Sequence, residues 1–351
     1  MAIASKDALV LVTGASGFIG GHCVRELLEH GYRVRGTVRD LNATDKVAHL
    51  RALADQIGGA LEFAQADLSR DAGWSEAVQG CDYVLHVASP FPLEVPNHED
   101  DLIRPAVDGT LRVLRACAAS GTVKRVVQTS SVAAVAYGRE GSAPKVLDED
   151  DWSDVDHCTP YPKSKTLAER AAWDFIESLP ADGRFELAVI NPGMVLGPVM
   201  NADAGTSVEI ICKLLKREMP ACPHLGFAPV DVRDIAIAHR LAMETPAAAG
   251  NRYICAGDHV WIQDMAKILA GEFNPKGYRV PTGRLPYPIM WIAARFDKVL
   301  RLALQYVGRK EEVSCAKAEK ELGWEMRSVD RSLLETGYSL IEHGLVPARS
   351  A

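Results

Sequence analysis

The chain has 351 residues, of which 48% are hydrophobic, and its formal net charge is −7. This length is enough for one large α/β unit or for a main domain with a smaller lobe, and the apolar fraction allows a sizeable core. The sequence has no basic stripe, so nucleic acid is not expected as a partner. These properties predict an ordered globular protein rather than a disordered or nucleic-acid-binding chain.

The N-terminal residues and the cysteines bear on the cellular compartment. Residues 1–7 lead into the first strand without a long apolar core, so no signal peptide is predicted. The eight cysteines are scattered without a CxxC pair, so neither a metal site nor a disulfide framework is expected. The apolar stretch at 289–307 contains four charged residues and is too polar to span a bilayer. We expect a cytoplasmic protein that binds neither membrane nor metal.

Strand patterns alternate with helical patterns through the first part of the chain. Strands are predicted at 9–13, 33–38, 61–66, 83–88, 125–130 and 186–191. Helices are predicted at 18–30, 47–57, 74–78, 107–119 and 162–179. This alternation predicts an α/β fold of the Rossmann type, in which a doubly wound parallel sheet has helices on both faces.

The pattern changes after about residue 198, where helical segments alternate with loops rich in proline and glycine. Helices are predicted at 207–217, 232–243, 261–269, 289–307 and 332–343, and short strands near 227–230, 252–254 and 278–280. We predict a Rossmann domain over 1–198 and a smaller, mainly helical substrate-binding lobe over 199–351. Strands near 227–255 are expected to return to the main sheet.

A glycine-rich turn joins the first predicted strand to the first helix, with Gly14, Gly17 and Gly20 in GxxGxxG spacing. Such a turn exposes backbone N–H groups to a pyrophosphate, and the helix dipole adds to the attraction. The spacing alone is a weak signal, but its position between a strand and an amphipathic helix strengthens it. We predict a dinucleotide site that includes Gly14, Gly17, Phe18 and Ile19; the alternative is a tight turn without a ligand.

The residues after the second strand bear on the choice between NAD and NADP. An acidic residue there binds the ribose of NAD, whereas a guanidinium suits the 2′-phosphate of NADP. The strand is followed by Arg39 and then Asp40, and Lys46 adds a cation nearby. We predict NADP(H) bound through Arg39 and Lys46; the alternative is that Asp40 selects NAD. The remaining predicted cofactor-binding residues are Asp67, Leu68, Val87, Ala88, Ser89, Tyr161, Lys165 and Pro192.

Tyr161 and Lys165 are four residues apart and therefore lie on one face of a helix. A free tyrosine has a pKa of about 10, and a nearby ammonium lowers it by stabilising the phenolate. Tyr161 is therefore a candidate proton donor, with Lys165 as its activating cation. Ser130 and Ser131 end the fifth strand, where ligands of such folds bind, and a hydroxyl there can hold a substrate oxygen.

Several segments resemble the extended short-chain dehydrogenase/reductases, in particular the branch of dihydroflavonol reductase, cinnamoyl-CoA reductase and yeast-type carbonyl (aldehyde) reductase. They are VTGASGFIGGHCVRELLEHGYRVRGTVRD at 12–40, ADL at 66–68, HVASP at 86–90, VDGTLRVLRAC at 107–117, VVQTSSVAAV at 126–135, YPKSKTLAERAAW at 161–173, NPGMVLGP at 191–198, VDVRDIAIAH at 230–239 and ELGWEMRS at 321–328. The resemblance implies a catalytic triad of Ser131, preferred over Ser130, with Tyr161 and Lys165. It implies an NADPH-dependent carbonyl reductase or alcohol dehydrogenase in which the tyrosine donates the proton, and it supports Arg39 and Lys46 as ligands of the 2′-phosphate.

Two departures from the family pattern bear on the mechanism and the substrate. The family often has an asparagine three residues before the glycine of the GT motif; this chain has Ala106, so no proton relay is expected there. Dihydroflavonol reductases usually have a polar residue five positions after the catalytic serine, and Ala136 disfavours a flavonoid substrate. The alternatives are a 3β-hydroxysteroid dehydrogenase, an NAD-dependent sugar-nucleotide epimerase or dehydratase, and a non-catalytic NADP sensor. The sequence leaves open whether the protein is a monomer or a homodimer.

Overall fold

The computed structural model describes residues 7–89, 98–138, 146–202, 205, 208–310 and 312–349. The chain divides into two compact units. The first comprises Met1–Pro192, Arg233–Cys255 and Ser314–Glu325, and the second comprises Gly193–Val232, Ala256–Val313 and Met326–Ala351. Three sequence predictions fall outside the described residues: the N-terminal segment at 1–6, the start of a helix at Ser207 and the match at Pro90.

The helices and strands follow the chain in this order. The strands are β1 (Leu9–Val12), β2 (Arg33–Val38), β3 (Leu61–Gln65), β4 (Tyr83–His86), β5 (Arg125–Thr129), β6 (Glu186–Pro192), β7 (Met194–Leu196), β8 (Gly226–Phe227), β9 (Pro229–Asp231), β10 (Asn251–Cys255) and β11 (Val260–Trp261). The α-helices are α1 (Phe18–Glu29), α2 (Ala48–Ile57), α3 (Trp74–Val78), α4 (Asp100–Ser120), α5 (Pro160–Ser178), α6 (Glu209–Lys216), α7 (Val232–Glu244), α8 (Ile262–Phe273), α9 (Tyr287–Ala293), α10 (Lys298–Ala303) and α11 (Val329–Glu342). None of the helices in the described ranges is long and apolar enough to cross a membrane.

The first unit contains a sheet of seven strands in the order β10-β6-β5-β4-β1-β2-β3, all of them parallel. The order of its first six strands in the chain is that of a Rossmann fold, and it reverses between β1 and β4. The predicted fold class is therefore confirmed. In such sheets ligands bind beyond the carboxyl ends of the strands at this reversal, which directs attention to the segments that follow β1 and β4.

The core of the first unit consists of apolar side chains from the central strands and the helices packed against them. Its buried members include Leu11, Val84, Val113, Val126, Ala172 and Val189. β1 is buried at every position, which explains its continuous apolar sequence in place of an alternating one. Burying one such aliphatic side chain contributes roughly 1.5–3 kcal/mol, so the core holds the strand ends in fixed positions.

The second unit has short strands, and here the structure corrects the sequence analysis. β8 pairs with β11 and β9 pairs with β7, so the strands predicted near 227–230 do not join the seven-stranded sheet, whereas β10 does. Residues 278–280 do not form the predicted strand, because the Val280 amide donates to Asn274 Oδ1 at 2.8 Å. The helix predicted at 289–307 is divided into α9 and α10; Asp297 Oδ1 accepts from the Leu300 amide at 3.1 Å and caps the start of α10.

One helix in the first unit is longer than predicted. α4 begins at Asp100, seven residues before the predicted start, and continues through Pro105. Proline removes one backbone donor and disfavours the helix interior, so sequence reasoning began the helix after it. In the structure the residues on both sides of Pro105 present buried side chains, Leu102, Ile103 and Ala106 among them, and this packing outweighs the lost hydrogen bond.

Two buried histidines make the stability of the first unit depend on pH. His239 lies between Thr129 Oγ1, at 2.6 Å from its Nε2, and the Ile235 carbonyl oxygen, at 2.7 Å from its Nδ1. Burial lowers the pKa of His239 from 6.5 to about 4, and burial with the nearby charge of Lys165 lowers the pKa of His86 to about 3. Both side chains are therefore neutral in the folded protein near neutral pH.

Acid is expected to destabilise the protein through these two histidines. The unfolded chain takes up their protons near pH 6.5 and the folded chain only near pH 4 or below. The stabilisation present above pH 6.5 is thus lost as the pH falls, by up to about 1.4 kcal/mol per pH unit for each histidine. Urea unfolding at pH 4–7 measures this slope. His239→Gln should have a shallower slope and exposed His98→Gln an unchanged one; the same slope in all three proteins would contradict the assignment.

Candidate active site

The turn between β1 and α1 has a backbone that fits a phosphate group. Gly14 has a φ of +67°, a left-handed conformation that glycine adopts without strain. A Cβ on Gly20 would lie 2.2 Å from the Gly14 carbonyl oxygen, so any side chain there would push the turn away from the helix. α1 begins after Gly17 with neither a side-chain cap nor an acidic residue in its first turn. The first amides of α1, which include those of Phe18 and Ile19, are therefore available to an anion such as a pyrophosphate.

Hydrogen bonds to the neighbouring strands hold this turn in place. The Gly14 amide donates to Thr37 Oγ1 of β2 at 3.0 Å. Thr13 Oγ1 accepts from the Ala88 amide at 3.0 Å and shares a hydrogen bond of 3.0 Å with His86 Nδ1. The turn is thereby tied to the ends of β2 and β4. A Cβ on Gly14 would lie only 3.1 Å from Ala88 Cβ, so the two segments pack closely at the reversal of the sheet order.

The end of β2 places both candidate cofactor-selecting residues on the surface, since Arg39 and Asp40 are exposed. Asp40 Oδ1 accepts from the Asn42 amide at 2.9 Å, so this oxygen is already used within its own turn. Asp67, after β3, has its pKa lowered by hydrogen bonds from Ser69 and, to a smaller extent, by the positive charge of Arg39. Arg39 is thus close enough to Asp67 for its charge to act there. Lys46 is also exposed, in a short 3₁₀ turn before α2.

Ser131, Tyr161 and Lys165 come together beside the end of β4. Tyr161 forms a hydrogen bond with the Ser131 side chain. Lys165 Nζ lies 6.0 Å from the centroid of the Tyr161 ring and donates to Ser89 Oγ at 3.0 Å. Ser131 caps a short 3₁₀ turn, and its Oγ accepts from the Ala133 amide at 3.1 Å. A phenol, an alcohol and an ammonium therefore share one location.

Burial sets the protonation states of this group. Burial raises the pKa of Tyr161, and the hydrogen bond with Ser131 opposes the rise. Burial lowers the pKa of Lys165 to about 8, and the negative charge of Glu169 opposes that fall. Near neutral pH Tyr161 is therefore protonated and Lys165 is charged. Such a set can deliver one proton to a developing oxyanion and then stabilise the phenolate that remains.

Comparison with known proteins identifies the family of this chain. The model of the NAD dependent epimerase/dehydratase family matches residues 10–256. The chain belongs to this family. The predicted resemblance to the extended short-chain dehydrogenase/reductases is confirmed, since this family model and the reductases described next are of that kind.

Several reductases are similar to this chain over nearly its whole length. Cinnamoyl-CoA reductase CAD2 of Medicago truncatula is 42% identical over 333 residues, covering 91% of this chain and 99% of the relative. The crystal structure of yeast methylglyoxal/isovaleraldehyde reductase Gre2 complexed with NADPH has a TM-score of 0.78 at 27% identity, covering 96% of this chain and 99% of Gre2. Vestitone reductase from alfalfa (Medicago sativa) has a TM-score of 0.73 at 28% identity, covering 97% and 100% of the two chains.

The other predicted site residues of this family member occupy the carboxyl edge of its parallel sheet. Val87, Ala88 and Ser89 follow β4, Leu68 follows Asp67 after β3, and Pro192 ends β6. The Pro192 carbonyl oxygen lies 3.5 Å from Ser131 Oγ, which connects the end of β6 with the serine. The assignment of individual residues to cofactor or substrate remains a prediction.

The structure also distinguishes the two candidate serines. Ser130 is only 5% exposed, and its Oγ donates to Glu169 Oε2 at 2.5 Å, whereas the serine that forms a hydrogen bond with Tyr161 is Ser131. Sequence reasoning missed Glu169, although its position four residues after Lys165 places it on the same helical face. It also missed the partners of this carboxylate, Asn191 and Arg252, because they come from β6 and β10.

Proposed function

We propose that this protein is an NADPH-dependent reductase of aldehydes or ketones in which Tyr161 donates the proton. The convergence of Ser131, Tyr161 and Lys165 next to the glycine-rich turn is the observation that carries the proposal. The prediction of an oxidoreductase that uses NADP(H) is confirmed by relatives named as reductases and by the Gre2 structure with bound NADPH. The substrate and the proton donor are our proposal.

The residues present fit this cofactor. The uncapped start of α1 and the open backbone at Gly14 suit the pyrophosphate. Arg39 suits the 2′-phosphate, because a guanidinium forms charge-assisted, bidentate hydrogen bonds with phosphate oxygens. Asp40 suits the ribose of NAD less well here, since its Oδ1 is held by the Asn42 amide. Lys46 adds a second exposed cation on the same segment.

The proposed mechanism assigns one task to each residue of the triad. When bound, NADPH supplies the hydride that reduces the carbonyl carbon. Ser131 orients the carbonyl oxygen through its hydroxyl, and Tyr161 donates its proton to that oxygen as negative charge develops. Lys165 stabilises the resulting phenolate by its positive charge until Tyr161 regains a proton from solvent. The product is an alcohol.

The first experiment follows the loss of NADPH and NADH absorbance with a substrate panel. The panel contains an aryl aldehyde, an aliphatic aldehyde, a β-keto ester, a hydroxycinnamoyl thioester, a steroid ketone, a dihydroflavonol and a sugar nucleotide. We expect turnover of simple aldehydes or ketones with NADPH and little with NADH. A panel without turnover, or turnover of only the sugar nucleotide with NADH, would contradict the proposal.

A further inference from the structure

A buried carboxylate lies one helical turn beyond Lys165 on α5. Glu169 is 0% exposed, and its Oε1 accepts from Arg252 Nε at 2.5 Å. Its Oε2 accepts from Ser130 Oγ at 2.5 Å and from Asn191 Nδ2 at 2.8 Å. Burying a carboxylate is costly unless it is paired and hydrogen-bonded. These hydrogen bonds connect Glu169 on α5 with one residue from each of three strands or strand ends: β10, β6 and the residue directly after β5.

The same network reaches the main chain of the catalytic serine. Asn191 Nδ2, which donates to Glu169, also lies 3.1 Å from the carbonyl oxygen of Ser131 and donates to it. Ser130, the residue before Ser131, donates to the same carboxylate. Glu169 thus holds the strand end on both sides of the peptide bond that joins the two serines. Since Glu169 belongs to the helix that carries Tyr161 and Lys165, it fixes this helix against the serine.

Glu169 also acts electrostatically on Lys165. The titratable groups facing Lys165 are Tyr161 and Glu169 from α5 and His86 from β4, and the uncharged Ser89 hydroxyl accepts from its Nζ. His86 is neutral near neutral pH, because its burial lowers its pKa to about 3. The pKa of Lys165 is lowered to about 8 by burial, and the negative charge of Glu169 partly offsets this fall. Without this carboxylate, the pKa of Lys165 would lie below about 8, and less of the lysine would be charged at neutral pH.

We propose that Glu169 is a positioning residue for the triad, which fixes Ser131 relative to Tyr161 and keeps a negative charge one turn from Lys165. This inference rests on the proposed carbonyl reductase function. Glu169 is buried and acts through its neighbours, without touching the substrate or the reacting atoms.

Arg252 provides the anchor for this carboxylate. Its Nη1 donates to the carbonyl oxygens of Glu149 and Asp151, at 2.9 Å each. The centre of its guanidinium lies 3.7 Å from the centroid of the Trp152 ring, a cation–π contact. Replacing Glu169 alone therefore leaves a firmly held, buried cation without its counter-charge, which destabilises the fold. A test must separate this destabilisation from an effect on the triad.

Two variants separate the two effects. Glu169→Gln removes the negative charge, and the double variant Glu169→Gln/Arg252→Met removes both charges and so relieves the unpaired cation. We expect both variants to lower kcat by about 10- to 100-fold, the range that corresponds to one charge-assisted hydrogen bond. The double variant should recover the melting temperature lost in Glu169→Gln without recovering kcat. The KM for NADPH should change less than kcat in both.

The titration of Lys165 gives a readout that is independent of turnover. Lysines are reductively methylated with ¹³C-formaldehyde, and the Lys165 resonance is assigned by its absence in Lys165→Arg. We expect its NMR titration midpoint to move to lower pH in both Glu169 variants. Glu186→Gln is the matched control, since Glu186 also pairs with a buried arginine, Arg125 at 2.6 Å, but at the amino ends of β5 and β6. It should reduce stability and leave the Lys165 midpoint unchanged.

The outcomes are distinct. A double variant with wild-type kcat and a wild-type Lys165 midpoint would overturn the positioning role, as would an equal shift in Glu186→Gln. A wild-type protein without Tyr161-dependent carbonyl reduction would overturn the proposed function. In that case the Lys165 midpoint still tests the coupling to Glu169, so the two failures can be told apart.

Discussion

Replacing Tyr161 with phenylalanine is expected to lower kcat for carbonyl reduction by about 10²- to 10⁴-fold, the range typical of a lost general acid. The substitution removes the hydroxyl that forms a hydrogen bond with Ser131 and leaves the ring beside Lys165. The developing oxyanion then has no adjacent proton donor except water. NADPH absorbance measures kcat with the best substrate of the panel, and NADPH fluorescence measures the Kd of the cofactor. We expect the Kd to change little.

The control for this variant is another tyrosine with a hydrogen-bonded hydroxyl. Tyr32 donates to Glu244 Oε1 at 2.7 Å; Tyr32 directly precedes β2, at the amino end of that strand, and Glu244 is the last residue of α7. Tyr32→Phe should reduce stability by about 1 kcal/mol, the typical net contribution of one hydrogen bond, and leave kcat unchanged. Near-normal turnover by Tyr161→Phe with intact NADPH binding would exclude Tyr161 as the proton donor.

Replacing Arg39 with alanine is expected to reverse or abolish the preference for NADPH. The guanidinium directly follows β2, is exposed and is near enough to Asp67 to lower the pKa of that carboxyl. Loss of a charge-assisted contact with the 2′-phosphate should reduce kcat/KM for NADPH by about 10- to 100-fold. The value for NADH should change little, because NADH lacks this phosphate. Parallel assays with both cofactors measure the ratio.

Two further substitutions sharpen this prediction. Arg33→Ala removes another exposed arginine from β2, at the opposite end of the strand, and should leave the cofactor ratio unchanged. Asp40→Ala should also leave the activity with NADH at its wild-type level, because Asp40 Oδ1 accepts from the Asn42 amide within its own turn. If Arg39→Ala kept the wild-type ratio, the phosphate would be recognised elsewhere, with Lys46 as the next residue to replace. Loss of NADH activity in Asp40→Ala would favour the NAD alternative.

Local sequence patterns were sufficient to predict the fold class and those parts of the candidate site whose residues are close together in the sequence. β1 is buried on all sides and so reads as a continuous apolar run, which is typical of a parallel sheet with helices on both faces. The turn at Gly14 is recognisable because its left-handed backbone favours glycine. Tyr161 and Lys165 share a helical face by their spacing alone. These features depend on neighbours within a few residues, and therefore they can be predicted from the sequence.

Contacts between distant segments were decided only by the tertiary structure. β10 joins the main sheet beside β6, whereas β9 pairs with β7, and strand propensity does not distinguish these partners. Glu169 reads in the sequence as an ordinary helical carboxylate. It becomes the centre of a buried network only because β10 brings Arg252 within 2.5 Å, a contact across 83 positions of the chain that no local pattern encodes.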